Sequence, residues 1–252
     1  MAGYRGRVAL ITGASSGIGR AAALAFAERG AQLVLADVNA EGGEDTARQV
    51  VGAGGHALFI EADVSKATDV AALLEATGRA FGRLDFAFNN AGIEGEMVST
   101  VDSSEENWNR VIDVNLKSVW LCMKHELPYL LERRAGAIVN CASIAGLVGF
   151  SNASAYAASK HGILGLTKSA ALEVAAVGVR INAVCPGVIR TPMVDRAIRK
   201  RPELAQDLVA GEPMGRLGAP DEVARAVLWL CSDEAAFVTG VALPVDGGWV
   251  AQ

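Results

Sequence analysis

Arg7-Val8-Ala9-Leu10-Ile11-Thr12 leads into Gly13-Ala14-Ser15-Ser16-Gly17-Ile18-Gly19, and an alanine-rich stretch continues to Arg29. The first run is apolar from Val8 to Ile11, as expected of a strand covered on both faces. Glycine lacks a Cβ, so Gly13, Gly17 and Gly19 let the backbone turn sharply and come close to a ligand. The stretch to Arg29 reads as a helix. Its free N–H groups and positive dipole end, opening at about Gly17, favour a pyrophosphate. Ala14, Ser15 and Ser16 separate the first two glycines, where the common dinucleotide fingerprint has a single residue. On the glycines alone, an ordinary strand-to-helix turn fits equally; the position directly after the first strand favours a dinucleotide.

The same alternation continues outward from this unit. Apolar runs fall at Gln32 to Ala36, ended by Asp37, and at His56 to Ala62, ended by Asp63. Others fall at Leu84 to Phe88, ended by Asn89-Asn90-Ala91-Gly92, at Ala137 to Cys141, at Val179 to Cys185 and at Val241 to Val245. Helical patterns separate them: Glu41 to Val51, Lys66 to Phe81, a long one from about Glu105 to Arg133, one within Ala153 to Ala176, and Pro220 to Cys231. Strands alternating with such helices predict crossover units and a parallel sheet. With no linker and no fixed-period repeat, residues 1–252 read as one α/β domain, a doubly wound parallel sheet of Rossmann type with helices on both faces. Such sheets bind ligands beyond the carboxyl ends of their strands. Gly13, Asp37, Asp63, Asn89, Ser143 and Pro186 all fall there.

Composition narrows the partners. About half of the 252 residues are hydrophobic, and the net charge is −5 with a pI near 5.3, which argues against a nucleic-acid footprint. The basic clusters Arg133-Arg134 and Arg199-Lys200-Arg201 read as solvated helix ends. Cys122, Cys141, Cys185 and Cys231 stand far apart, without metal-ligand spacing, and no metal is expected. The start of the chain shows no signal-peptide core. Ala135 to Ser159 carries no charge, but Asn140, Ser143, Ser151, Asn152 and Ser154 break it, so it does not read as a membrane span. A cytoplasmic protein with reduced thiols is expected.

Two further features carry chemistry. Tyr156 and Lys160 are four apart in a segment without proline, so on a helix they share a face. A cation near a phenol favours the phenolate, which suits a general acid or base. Asp37 stands roughly 20 residues past the glycines, where an acid binds the adenosine ribose hydroxyls of NAD and repels the 2′-phosphate of NADP. No Arg or Lys lies between Gly13 and Gly19 or directly after Asp37.

Taken in order along the whole chain, these motifs resemble the short-chain dehydrogenase/reductase family, in its compact single-domain branch. Thr12 to Gly19 matches the family's cofactor turn, which implies cofactor contacts at Gly13, Ser15, Ser16, Gly17, Ile18 and Gly19 beside Asp37. Asp63-Val64 matches its adenine contact, and Asn89-Asn90-Ala91-Gly92 its fourth-strand motif, implying Asn89, Ala91 and Gly92 on the adenine side. Pro186-Gly187 with Ile189 and Thr191 matches the nicotinamide side. Asn115, Ser143, Tyr156 and Lys160 match the catalytic tetrad.

The resemblance implies Tyr156 as acid/base on the substrate oxygen, and Ser143 hydrogen-bonded to the same oxygen. Lys160 favours the phenolate and holds the nicotinamide ribose, and Asn115 helps hold a proton-relaying water. It also implies a lid from about Pro192 to Gly215. Leu147, Val148, Phe150, Met193, Met214 and Trp249 are available as apolar walls. Glu94 and Glu96 read as solvated loop acids in preference to cleft-mouth groups. The expected activity is NAD-dependent interconversion of a small or cyclic secondary alcohol and its ketone. A non-catalytic dinucleotide-binding redox sensor is the alternative, and a structural assembly subunit a weaker third. Apolar residues on more than one face of the long helix and of the Tyr156 helix predict a homotetramer.

Overall fold

The computed structural model describes residues 3–200 and 203–252. Seven parallel strands form one sheet in the order β3-β2-β1-β4-β5-β6-β7. They are β1 (Val8–Thr12), β2 (Gln32–Asp37), β3 (His56–Glu61), β4 (Phe86–Asn89), β5 (Gly136–Cys141), β6 (Val179–Pro186) and β7 (Ala242–Val245). The intervening helices are α1 (Gly17–Glu28), α2 (Ala40–Gly52), α3 (Ala67–Phe81), α4 (Glu105–Ile112), α5 (Ser118–Arg133), α6 (Ser154–Val174), α7 (Pro192–Lys200), α8 (Leu204–Ala210) and α9 (Pro220–Cys231). The sheet is Rossmann-like, as the alternation predicts.

β1 is buried along its whole length, which explains why its sequence is apolar without alternation. Its side chains divide between two cores. Val8 and Leu10 pack on one face with Val34, Ile138 and the α5 and α6 residues Leu121 and Ile163. Ala9 and Ile11 pack on the other with Leu33, Val139 and the α1 and α9 residues Phe26 and Val227. β1 pairs with β2 on one side and with β4 on the other. The strand order therefore reverses at β1/β4, and a crevice opens outside their carboxyl ends. Thr12-Gly13 and Asn89-Asn90 stand at that crevice.

Two boundaries differ from the sequence expectation, each for a physical reason. β4 begins at Phe86, because Asp85 is drawn aside: its Oδ2 accepts from the N–H of Val8 at 2.9 Å and from Arg83 Nε at 2.7 Å. The long helix is not uniform. A π-helical turn, Asp113–Lys117, joins α4 to α5, and the residue it turns inward is Asn115, which is fully buried. The segment after β6, whose sequence also reads as helical, holds two short helices, α7 and α8. α9 begins where the sequence places it, with Pro220 as its first residue and Glu222 Oε2 accepting from the N–H of Ala219 at 2.8 Å.

Candidate active site

α6 puts Tyr156 and Lys160 one turn apart, with Lys160 Nζ 5.5 Å from the centre of the Tyr156 ring. Lys160 is 4% exposed, and its Nζ donates to the carbonyl of Cys141, the last residue of β5, at 2.9 Å. Ser143 follows two residues later and caps a 3-10 turn, Ile144–Gly146; its Oγ accepts from the N–H of Ala145 at 3.1 Å. A Cβ at Gly146 would stand 2.7 Å from the carbonyl oxygen of Lys160. Only glycine lets this turn lie so close to α6, and that approach fixes Ser143 relative to Tyr156 and Lys160.

Asn115 reaches the same place from the π turn. Its Nδ2 donates to Ile93 O at 2.9 Å and to Ser159 Oγ at 3.1 Å, and its Oδ1 accepts from Ile93 N at 2.8 Å. Gly92, just before, is where a Cβ would come within 3.3 Å of Asn115 Oδ1 and 3.6 Å of Lys160 Nζ. Both donors of the Asn115 amide are occupied by the protein itself. The side chain ties the loop after β4 to α6.

The glycine turn is held from β4. Asn90 Nδ2 donates to the carbonyls of Thr12 and Gly13 at 3.0 and 3.2 Å, and Thr12 Oγ1 accepts from the N–H groups of Asn90 and Ala91 at 3.0 and 3.1 Å. Gly13 and Gly17 have φ of 66° and 56°, conformations that favour glycine. A Cβ at Gly19 would fall 2.1 Å from Gly13 O. Thr191 arches over the turn, 3.2 Å from where a Cβ of Gly17 would be. Ser16 stands just before α1, and Ile18 is in its first turn.

Asp37, at the end of β2, accepts from the N–H of Ser15 at 2.9 Å through Oδ2 and from that of Asn39 at 2.9 Å through Oδ1. Its carboxylate is thereby aimed beside the turn. Arg20 NH2 donates to Ser15 O at 2.6 Å and to Gly42 O at 3.2 Å, and its NH1 pairs with Asp45 at 2.9 Å, while its buried Nε has no partner among the described residues. Arg20, one residue past the glycines, and Asn39 are contributors that the motif alone does not show.

The remaining predicted residues divide. Asp63 stands after β3 with Oδ1 accepting from Ser65 Oγ at 2.6 Å; that bond holds the carboxyl below its ordinary range. Val64 beside it is buried. Pro186 ends β6, and Gly187 packs so close to Asp246 Cα that a Cβ would meet it at 2.8 Å. Ile189 is buried and bridges to Gly218. Asn89 lies apart from these. Its side chain turns into the core, where Nδ2 donates to Glu126 Oε2 at 3.1 Å and to Asn140 Oδ1 at 3.0 Å. Any part it has toward a ligand is through its backbone. Glu96 is exposed at 3.9 Å from Arg110, as a surface acid is, and Glu94 is half-buried.

Past β6, Glu212 is 5% exposed, and its Oε1 accepts from the N–H of Val188 at 3.0 Å. Burial pushes its carboxyl up from the ordinary value. Phe150 stacks on Trp249 with centroids 5.2 Å apart and planes at 17°. A cleft of about 580 Å³ lies at the opposite, amino-terminal end of the sheet, among Arg7, Arg83, Asp85, Arg133 and Arg180. Those guanidinium groups pair with Asp85 and Asp233 or donate to main-chain carbonyls, whereas the predicted site residues lie toward the carboxyl end.

The residues at that end fit a nicotinamide dinucleotide. A close backbone cradle sits at a helix N-terminus, a carboxylate stands at the end of β2, and a buried ammonium lies against the residue before Ile93.

The chain is similar to known proteins over nearly its whole length. A family described as enoyl-(acyl carrier protein) reductase matches residues 13–250. The chain is 47% identical over 249 residues to a cyclohexanol dehydrogenase of Acinetobacter sp. (strain SE19), covering 99% of this chain and 97% of that one. It is 45% identical over 245 residues to a cis-4-hydroxycyclohexanecarboxylate dehydrogenase of Sinomonas cyclohexanicum, covering 97% of each. The crystal structure of an NAD+-bound xylitol dehydrogenase superimposes with a TM-score of 0.94 at 34% identity, over 97% of this chain and 99% of that one. The chain belongs to the short-chain dehydrogenase/reductase family. It is an oxidoreductase that interconverts a secondary alcohol and a ketone with a nicotinamide dinucleotide.

Proposed function

We propose that the chain is an NAD-preferring dehydrogenase of ring-bearing secondary alcohols, with Tyr156 as its acid/base. The convergence of Ser143, Tyr156 and Lys160 carries the acid/base part of this reading, and the ring-alcohol names of the two relatives support the substrate class.

When bound, the dinucleotide takes up or gives the hydride. The protein's own groups handle the proton and the positioning. In the oxidation direction the phenolic oxygen of Tyr156 receives the hydroxyl proton of the alcohol as the carbinol C–H bond breaks; in reduction it returns that proton to the ketone oxygen. Lys160, with Nζ 5.5 Å from the ring centre, would hold the nicotinamide ribose. Ser143 Oγ accepts from Ala145 N, which leaves its own O–H to donate to the substrate oxygen. Gly13, Ser15, Ser16, Gly17, Ile18 and Gly19 line the pyrophosphate end, Asp63 and Val64 the adenine, and Ala91, Gly92, Pro186, Gly187, Ile189 and Thr191 the remainder of the cofactor cleft. The segment from Pro192 to Gly215, apart from residues 201–202, which lie outside the described residues, would act as a lid that excludes water.

The preference for NAD rests on Asp37. Its carboxylate is fixed by two N–H groups, and Arg20 NH1, one residue past the glycines, is paired with Asp45. A carboxylate there accepts from ribose hydroxyls in charge-assisted bonds of about 1.5–3 kcal/mol and repels a 2′-phosphate. Initial rates with each cofactor should show kcat/KM higher for NAD on the order of a hundredfold, a factor worth roughly 2.7 kcal/mol. Asp37→Ser should narrow the ratio. Equal use of NADP by the unaltered protein, or an unchanged ratio in Asp37→Ser, would remove Asp37 from this role.

A homotetramer in the cytoplasm completes the proposal. Exposed Trp108, Trp120 and Leu131 on α4 and α5, with Leu172 on α6, support partner surfaces there, and the four cysteines are free and buried. No helix among the described residues is long and apolar enough to cross a membrane.

A further inference from the structure

Phe150 and Trp249 come from distant parts of the chain. Phe150 lies on the loop between Ser143 and Tyr156. Trp249 follows β7 through Gly247 and Gly248, whose φ values of 62° and 92° make a turn that favours glycine. Asp246 clamps that turn: its Oδ1 accepts from Gly248 N at 3.1 Å and its Oδ2 from Val250 N at 2.9 Å. The turn delivers the indole onto the Phe150 ring, stacked at 5.2 Å. Trp249 Nε1 also lies 3.5 Å from where a Cβ of Gly211 would stand, at the end of α8. The tail packs along the same stretch, with the Gly247 Cβ position 3.2 Å from Glu212 Oε2 and 3.5 Å from Met214 Cβ. The stack thus joins three segments: the loop that runs from Ser143 to Tyr156, the segment after β6 and the carboxyl-terminal tail.

Both rings are only partly buried, though each belongs to a residue type with a large apolar surface to cover. Of the polar groups around them, Glu212 Oε1 holds Val188 N, and Asp246 holds its own turn. What this wall offers a ligand is flat, uncharged and rigid, and a saturated carbon ring matches such a surface better than a short open chain does.

Building on the proposed alcohol dehydrogenase activity, we infer that the Phe150–Trp249 stack is the specificity-determining wall that recognises the carbon ring of the substrate. The pair acts on the substrate skeleton and leaves the proton and hydride steps to the groups already described. Its removal therefore costs ring substrates more than small acyclic ones.

The test compares kcat/KM for cyclohexanol and for 2-propanol, with saturating NAD, in the unaltered protein, Trp249→Ala and Phe150→Leu. The expected result is a fall in the cyclohexanol-to-2-propanol ratio of tenfold or more in Trp249→Ala, the scale on which apolar pockets discriminate single methylene groups. A smaller fall in the same direction is expected in Phe150→Leu, with the KM for NAD unchanged in both. A ratio that stays constant, whether both rates persist or both fall together, overturns the inference and leaves the stack a packing feature. Phe150→Leu retains an apolar side chain and supplies the comparison should Trp249→Ala not fold. If the unaltered protein oxidises neither alcohol, the underlying activity fails instead.

Discussion

Glu126 has no part in the chemistry above, yet it is the most perturbed carboxyl among the described residues. It is completely buried on α5, and burial pushes its carboxyl from the ordinary 4.5 to about 8, against the opposing effect of its bond from Asn89. Its Oε1 and the Oδ1 of Asn89 have no partner. A proton on Glu126 spares the core an uncompensated charge. Because the folded value lies above the unfolded one, the native state keeps a proton that the unfolded chain has lost between about pH 4.5 and 8. Stability should fall as pH rises through that window and level off above it. Glu126→Gln keeps the shape and the acceptor for Asn89 while removing the ionisation. Its melting temperature relative to the unaltered protein should climb from pH 5 to pH 9; a difference that stays constant across that range would show that Glu126 is not the titrating group. Nothing in the sequence marks this residue, since a glutamate in a helical pattern reads as solvated. Its burial arises only when α5 packs over β4 and β5, where Asn89 and Asn140 wait. The same packing explains why Asn89, plain in the motif, turns away from the cleft.

Among the elements, the close contact of the Ile144–Gly146 turn with α6 sets the active-site spacing. Gly146→Ala would place a Cβ 2.7 Å from a main-chain oxygen, a clash that no rotamer relieves. The prediction is a loss of kcat of tenfold or more with a lowered melting temperature, while Gly149→Ala, whose Cβ would meet nothing within 4 Å, should leave both nearly unchanged. Equal behaviour of the two variants would show that the turn does not govern the spacing. Most elements were legible to within a residue or two, because buried parallel strands are continuous apolar runs and α9 carries its own start signal at Pro220. The π turn was not legible: one added residue hardly disturbs a helical pattern, and what stabilises it is the burial of the Asn115 amide against Ile93 and Ser159. Phe150 and Trp249 were readable as apolar wall residues, but their stacking depends on the two left-handed glycines before Trp249.

At the scale of the whole molecule, α6 lies beside the end of β5, where Lys160 Nζ donates to Cys141 O two residues before Ser143, and Asn115 on the π turn is tied to α6 through Ser159. The motifs name the candidate residues, and tertiary packing decides where their side chains turn, as Asn89 shows by bonding to Glu126 and Asn140. Trp108, Trp120, Leu131, Leu172 and Phe237 remain at least 40% exposed and are available to partner copies, for which closed symmetric assembly is the usual outcome. Light scattering at micromolar concentration should return the mass of four chains; a stable monomer mass would contradict the assembly. The central claim, proton transfer through Tyr156 in an NAD-linked alcohol oxidation, is tested most directly by following reduced-cofactor absorbance with NAD and cyclohexanol for the unaltered protein and Tyr156→Phe. The account predicts turnover in the first and, in the second, a loss on the order of 10²–10⁴-fold with NAD binding retained; a Phe variant keeping more than roughly a tenth of the rate, against a loss of that size, would contradict it.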